Sequence, residues 1–210
     1  MEYAWLKVKR MLPPATKGRR LVTRDDWADA ALAALAGRGL AGVAVEPLAR
    51  ALAVTKGSFY WHFKDRAALV EAALTRWEAL AVDAPIAELA TLADPAERLH
   101  RLVAIAWEKP EHLQAEQALA SSSEPVVARA VARVTARRLA FLVQTYRALG
   151  EPPARARQWA ATAMAVYLGT GPLLRAAPNV APTPAAFRAL VRHFAATLVP
   201  ARQASVRGPR

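Results

Sequence analysis

The side chains of residues 55–64 combine hydrogen-bond donors, positive charge and aromatic rings. Donors and cations of this kind contact the phosphates of a nucleic acid, whereas small or aromatic side chains approach or read the edges of its bases. The residues that suit phosphate contacts are Thr55, Lys56, Tyr60, His62 and Lys64. Those that suit the bases are Gly57, Ser58 and Trp61, the last against a thymine methyl group.

Two short helices joined by a tight turn are predicted to position these side chains. Val45, Leu48 and Leu52 recur at helical spacing, so a first helix with one apolar face begins near Val45. Glu46 and Pro47 fall in its first turn. A carboxylate there suits the positive end of the helix dipole, and the missing N–H of proline costs nothing.

The second helix is predicted to begin after Thr55, whose hydroxyl has the chemistry of an N-cap. Phe59 and Phe63 lie four residues apart and can anchor this helix to the core, which leaves Tyr60 and Trp61 pointing elsewhere. Residues 44–63 therefore predict a helix-turn-helix that reads duplex DNA.

The run Val54-Thr55-Lys56-Gly57-Ser58-Phe59-Tyr60-Trp61-His62-Phe63 resembles the recognition-helix signature of the TetR/AcrR family of bacterial transcriptional regulators. The resemblance extends over about residues 23–75. It implies an all-α protein with an N-terminal three-helix DNA-binding domain over residues 23–66. It also implies a C-terminal helical bundle, residues 67–200, for ligand binding and dimerisation.

Four positions depart from the family pattern. Ala44 replaces the usual Thr or Ser, which removes one expected phosphate contact. Ala53 replaces the usual turn glycine, where a left-handed backbone would cost alanine about 1 kcal/mol. Arg66 stands where Lys is common and keeps the charge, and Pro47 is unusual but lies within a first helical turn.

The positive charge of the chain is concentrated toward its N-terminus. The formal net charge is +12, and residues 1–66, under a third of the chain, hold half of it. A basic end attracts polyphosphate, although a generally arginine-rich surface would also explain the charge. Residues 1–22 predict a flexible basic arm that follows the DNA backbone or enters the minor groove, or else a leader ahead of a true start at Met11. Residues 201–210 predict a frayed basic tail.

Other classes of site find no support in the residues. The chain contains no cysteine, which excludes disulfides, thiol catalysis and cysteine-ligated zinc. No glycine fingerprint, nucleophile elbow or recognisable pair of catalytic carboxylates indicates an enzyme, and no cofactor is expected. Without a long apolar run or a signal-peptide core, we expect a cytoplasmic protein. No metal site is expected either, since close metal-ligand spacing is lacking among His62, His100, His112 and His193.

Helical patterns continue to the end of the chain, without strand-like alternation. Three helix starts carry capping residues: a capping box of Thr23 with Asp26 begins the first, and Asp65 and Asp94 each begin one further along. The expected helices run from Asp65 to about Val82, from Pro95 to Lys109, from Glu111 to Ala120, from Pro125 to Leu149, from Pro153 to Leu168 and from Pro184 to Val199. Asp83-Ala84-Pro85 should end or kink the first of these, and Gly169-Thr170-Gly171-Pro172 should disrupt the fifth.

Two late helices are apolar around more than one stripe, which indicates that they bury a second side against a partner subunit. The resemblance implies a four-helix homodimer interface there; a single well-buried core helix is the alternative. The interface residues we expect are Trp159, Val166, Tyr167, Phe187, Leu190 and Phe194.

The resemblance also implies an effector pocket inside the C-terminal bundle. Each candidate has an ordinary alternative role as a core aromatic or as a histidine bonded to the backbone, so the set indicates a region. The candidates are His100, Trp107, His112, Gln117, Phe141, Tyr146, Trp159 and Met164.

These features together predict a homodimeric repressor that a small-molecule effector releases from a near-palindromic operator in double-stranded DNA. A helix-turn-helix activator or architectural protein without a ligand switch is the alternative. Neither version requires a membrane partner.

Overall fold

The computed structural model describes residues 21–108 and 116–200, and this part of the chain is all helical, without a β-strand. The expected all-α fold is confirmed. Short 3-10 turns occur at Leu40–Gly42 and Pro178–Val180, and residues 116–120 are helical. The labelled helices are α1 Arg24–Arg38, α2 Val45–Ala51, α3 Lys56–His62, α4 Arg66–Glu78, α5 Ala84–Ala90, α6 Pro95–Glu108, α7 Pro125–Ala148, α8 Pro153–Ala176 and α9 Pro184–Leu198.

These helices group into two compact units. The first contains described residues 21–81 and 116–134, and the second contains residues 82–108 and 135–200. The basic arm, apart from its last two residues, and the basic tail lie outside the described residues, as do His112 and the start of the helix expected from Glu111.

Local capping chemistry begins the helices of the first unit. Thr23 accepts a hydrogen bond from the backbone N–H of Asp26 at 3.2 Å, and the Asp26 carboxylate accepts one from the Thr23 N–H at 2.7 Å. This reciprocal capping box confirms the predicted start of α1. Asp65 caps α4 in the predicted way by accepting from the N–H of Ala68 at 2.8 Å.

The core of the first unit forms where α1 packs against α4. Trp27 from α1 and Leu69 from α4 are both fully buried. At the far end of the same contact, the Arg76 guanidinium donates to the Asp29 carboxylate at 2.9 Å, and this bond raises the pKa of Arg76. The apolar contact and the ion pair hold α4 beside α1.

The turn between α1 and α2 is held by a side chain from α4. Arg66 donates from Nε to the backbone oxygen of Val43 at 2.6 Å and from its terminal nitrogen to that of Leu40. Gly42 lies so close to α1 that an added Cβ would sit 2.6 Å from the Cβ of Arg38. Arg66 therefore does more than preserve a positive charge, because it satisfies two loop carbonyls.

The helical run that begins at Arg66 changes its winding before the predicted end at Val82. Regular α-helix stops at Glu78, a π-helical turn covers Ala79–Asp83, and α5 follows with Pro85 in its first turn. Arg133 of α7 pairs with Glu78 in the first unit, and Arg137 pairs with Asp83 in the second. The predicted interruption near residues 83–85 is thus a π turn, after which helical backbone continues to Ala90.

Two apolar clusters form the core of the second unit. Leu99 of α6, Leu142 and Tyr146 of α7 and Met164 of α8 belong to the first cluster. The hydroxyl of Tyr146 donates to the backbone oxygen of Leu198 at 2.8 Å, which ties α7 to the end of α9. Burial raises the pKa of Tyr146, so its phenol remains a neutral donor. The second cluster surrounds Val103, Trp107 and Leu198.

The disruption expected at residues 169–172 does not occur, and this prediction was wrong. α8 runs from Pro153 to Ala176 with Pro172 inside it. The proline lacks the N–H that would bond back to Leu168. Between the two glycines, however, Thr170 is buried and its hydroxyl donates to the carbonyl of Val166. Leu174, after them, is half-buried. Packing of this last stretch outweighs its poor helix propensity.

Candidate nucleic-acid interface

Helix α3, the predicted recognition helix, is anchored to the core by the two predicted aromatic residues. Phe59 is 1% exposed and lies edge-on to the Trp27 ring, with centroids 5.4 Å apart. Its ring also stacks on Phe63 at 5.7 Å, and the guanidinium of Arg24 lies 4.8 Å from the centroid of Phe63. These contacts fix the rotation of α3 about its axis, so the side chains opposite Phe59 have a defined direction.

Two large aromatic side chains stand on the outer face of α3. Tyr60 is 60% exposed and Trp61 is 88% exposed. Exposure of adjacent large aromatic side chains on a short helix leaves much apolar area in water and is typical of a binding surface. Both rings are therefore accessible to a partner, and their contacts with phosphates and bases stay predictions.

The other predicted contact residues lie around these rings. Thr55 occupies the N-cap position with extended backbone, as expected, but its side chain makes no capping hydrogen bond. Around Gly57 there is open space, since an added Cβ would meet only the Thr55 hydroxyl at 3.7 Å. Lys64 is exposed, whereas Ser58 and His62 are half-buried.

Lys56 forms an ion pair that sequence reasoning did not anticipate. Its ammonium lies 2.9 Å from the Glu46 carboxylate, and both side chains are more than half exposed. The hydrogen bond from Lys56 lowers the pKa of Glu46, and the same bond raises the pKa of Lys56. The cation expected on a phosphate therefore already has a carboxylate partner.

The turn before α3 has a left-handed residue at Ala53, whose φ is 55°. The N–H of Val54 bonds to the Ala49 oxygen at 3.0 Å, and the N–H of Ala53 bonds to the Arg50 oxygen at 3.2 Å. These two bonds form a Schellman motif at the end of α2, with alanine where glycine is usual. Among the described residues it is the one position other than glycine with positive φ.

Another departure from the family pattern, Ala44, occupies the N-cap position of α2. Its backbone is extended, as an N-cap requires, but its methyl side chain makes no capping bond. The N-terminal N–H groups of α2 therefore lack the side-chain acceptor that Thr or Ser would provide.

The residues expected in an effector pocket are divided between several environments. Tyr146, Trp159 and Met164 share one apolar cluster, in which Tyr146 and Trp159 stack at 5.9 Å. Trp107 belongs to the other cluster of the second unit. The remaining described residues differ, since His100 is exposed on α6, Phe141 is half-buried on α7 and Gln117 lies in the first unit.

Trp107 has an aromatic environment with an unusual polar feature. Its ring contacts Tyr167 at 5.6 Å and Phe194 at 5.3 Å, and the guanidinium of Arg138 lies 5.3 Å from the Tyr167 centroid. The indole Nε1 is buried and has no hydrogen-bond partner within the described part of the chain. Sequence alone cannot reveal such an orphan donor, because it depends on which helices surround the ring.

The residues expected at a dimer interface lie on α8 and α9. Trp159 packs on the Tyr146 cluster. The other five are half-buried in this single chain, although four of them also pack around Trp107. Those four are Val166, Tyr167, Phe187 and Phe194, and the fifth is Leu190.

The described ranges lack features that mark two other classes of protein. Residues 21–108 and 116–200 contain no group of three or more His, Asp or Glu side chains that could hold a metal ion. In the same ranges, no helix combines the length and apolar character that a membrane crossing demands.

Residues 28–73, which contain the helix-turn-helix, match the family model of the bacterial regulatory proteins of the tetR family. A comparison with curated protein sequences gives no significant match. The matched range runs from α1 into α4 and includes residues 55–64, which hold the predicted phosphate and base contacts.

Solved structures of similar fold extend the likeness to both units. A TetR transcriptional regulator from Legionella pneumophila is 15% identical, with a TM-score of 0.69, over 85% of this chain and 97% of its own. FadR from Bacillus subtilis, solved with stearoyl-CoA, is 15% identical with a TM-score of 0.62, over 84% of this chain and 98% of its own. A transcriptional regulator from Saccharomonospora viridis, solved with choline, is 23% identical with a TM-score of 0.58, over 83% of this chain and 92% of its own. The helix-turn-helix domain of this chain thus belongs to the tetR family of bacterial regulatory proteins, and the chain has the fold of its transcriptional regulators.

Proposed function

We propose that this protein is a homodimeric transcriptional repressor that acts in the cytoplasm and leaves its operator when a small molecule binds. The observation that carries the DNA-binding part is the exposure of Tyr60 and Trp61 on a helix held by Phe59 and Phe63. A rigidly anchored helix with a wet aromatic face suits insertion into a major groove.

Within this proposal, the residues of α3 divide into two groups. Contacts to phosphate hold the protein in register on any duplex, whereas contacts to base edges select the sequence. The phosphate group comprises Thr55, Lys56, Tyr60, His62 and Lys64. The base group comprises Gly57, Ser58 and Trp61.

A second copy of the chain would supply the partner recognition helix. Two such helices about 34 Å apart read successive major grooves of a near-palindromic site. The half-buried aromatic residues of α8 and α9 support this arrangement, because a partner surface would cover area that one chain leaves in water. Sedimentation showing only a 22.7 kDa species at micromolar concentration would contradict it.

The effector is proposed to bind in the second unit beside Trp107. The buried indole N–H there has no hydrogen-bond partner among the described residues, and it would donate to an acceptor atom on the ligand. To release DNA, the ligand must bind the DNA-free state more tightly, and a coupling of about 1 to 3 kcal/mol corresponds to about 5- to 150-fold in affinity. The ligands solved with FadR and with the Saccharomonospora protein support a ligand-binding role for this fold.

Two substitutions test the DNA-binding part. Tyr60→Ala should weaken binding to every duplex, and Trp61→Ala should change sequence preference, both measured by fluorescence anisotropy on DNA selected with the wild-type protein. Leu80→Ala is the control, since Leu80 is another exposed large side chain of the first unit, away from α3. Unaltered affinity in both α3 variants would refute the assignment.

A third substitution tests the ligand switch against the alternative of a regulator without an effector. Trp107→Phe keeps an aromatic ring and removes the N–H. Thermal shifts of the wild-type protein across a panel of hydrophobic small molecules would identify a ligand. That ligand should bind the variant more weakly, while the affinity of the ligand-free variant for DNA stays unchanged. Operator binding indifferent to every ligand in the panel favours an activator or architectural protein.

A further inference from the structure

We infer that Glu46 sets how tightly this protein binds duplex DNA of any sequence, by competing with the phosphate backbone for the ammonium of Lys56. The inference rests on the proposed DNA-binding function. Its structural basis is the 2.9 Å contact between the two side chains across the helix-turn-helix. Glu46 lies in the first turn of α2, and Lys56 is the first residue of the recognition helix.

The surroundings of the pair allow Lys56 to change partners. The two side chains, Lys56 and Glu46, are 54% and 65% exposed, so neither group is held by burial. An exposed pair of this kind is weakly stabilising in water, and a phosphate oxygen offers the ammonium an equivalent acceptor. Exchange of one anion for the other therefore requires only a rotation of side chains.

A role in holding α2 against α3 explains the pair less well. Apolar contacts already anchor that region, since Leu48 of α2 and Phe59 of α3 are both buried. Two other ion pairs in the described part of the first unit, Arg76 with Asp29 and Arg133 with Glu78, join different helices and do not involve α3. Glu46, by contrast, pairs directly with the first residue of the recognition helix.

The competition has a definite consequence for binding. Without Glu46, the ammonium of Lys56 would be neutralised by small ions that DNA displaces, and each such contact steepens the dependence of affinity on salt. With Glu46 in place, part of that gain is lost. Because phosphates carry no sequence information, the loss applies equally to operator and to other DNA. Glu46 thus lowers the affinity for DNA of any sequence and leaves the ratio of operator affinity to non-operator affinity unchanged.

Glu46→Gln tests this directly. Affinities are measured by fluorescence anisotropy for a duplex selected with the wild-type protein and for a scrambled duplex of equal length, over about 50 to 200 mM salt. We expect both duplexes to bind about two- to fivefold more tightly at the low-salt end. The slope of log affinity against log salt should steepen by about one. Glu46→Asp, which keeps the charge but shortens the reach, should change affinity in the same direction.

Two controls separate competition from a general change of charge. Glu71→Gln removes the same charge from an exposed position on α4, and it should leave the salt slope unchanged. In a Lys56→Gln background, Glu46→Gln should no longer tighten binding. The inference is overturned if Glu71→Gln changes affinity and salt slope as Glu46→Gln does, or if the gain from Glu46→Gln persists without Lys56. Failure of the wild-type protein to bind any duplex would instead overturn the proposed function.

Discussion

Replacing Ala53 with glycine should stabilise the protein. A left-handed backbone costs an L-residue about 1 to 2 kcal/mol, and glycine avoids this cost. Glycine also has greater freedom when unfolded, which lowers stability by about 0.5 to 1 kcal/mol and offsets part of the gain. The exposed methyl of Ala53 contributes little packing. We therefore expect a net gain of about 0.5 to 1 kcal/mol, or about 1 to 4 °C in Tm for a chain of this length.

The chain contains a matched control for this substitution. Gly150 ends α7 in the same Schellman motif, with φ of 98°, a bond from its N–H to the Arg147 oxygen and a bond from the Glu151 N–H to the Tyr146 oxygen. An added Cβ there would meet nothing within 4 Å. Gly150→Ala should therefore destabilise by the same backbone term alone.

An ordinary helical position supplies the opposite comparison. Ala132 is exposed inside α7, where glycine should cost about 0.5 to 1 kcal/mol. Thermal and urea unfolding of the three variants should give one gain and two losses. If Ala53→Gly loses stability as Ala132→Gly does, the turn does not strain alanine and the reasoning is wrong. DNA affinity should not change, since α3 keeps its anchors.

Three further substitutions probe contacts described above, each by urea unfolding. Tyr146→Phe should cost about 1 to 3 kcal/mol, because the buried carbonyl of Leu198 loses its donor. Burial raises the pKa of Tyr146 above its ordinary 10.0, so wild-type stability should be intact below that pH and fall above it, and the variant should lose this part of the decline. Gly42→Ala should cost about 1 to 3 kcal/mol through its clash with α1. Arg66→Gln should cost about 1 to 3 kcal/mol and speed amide exchange in residues 40–43, whereas Arg66→Lys should recover only part of the loss.

The helix-turn-helix could be predicted almost to the residue because its signals are local. The capping box of Thr23, the cap at Asp65 and the anchoring spacing of Phe59 and Phe63 each operate within four residues. Apolar periodicity and caps of this kind act through the nearest turn of helix, so the sequence displays them directly. The strain at Ala53 was also predictable, since the family turn requires glycine there.

Features that depend on packing between distant residues could not be predicted in this way. Proline and glycine near residue 172 indicated a break, yet α8 continues through them to Ala176 because the buried Thr170 packs that stretch in place. The bond of Arg66 to the loop carbonyls spans more than twenty residues. The N–H of Trp107, which has no partner among the described residues, is buried by contacts from α8 and α9. The partner of Lys56 lies ten residues away across a turn, where no helical spacing applies.

The π turn at Ala79–Asp83 holds one residue more than a turn of α-helix does. Regular helix stops at Glu78 and resumes at Ala84, so the extra residue is confined to this one turn. Removing one residue from Ala79–Asp83 should therefore convert the π turn into regular α-helix. The same deletion in the middle of α4 would instead rotate every later side chain of that helix by about 100°.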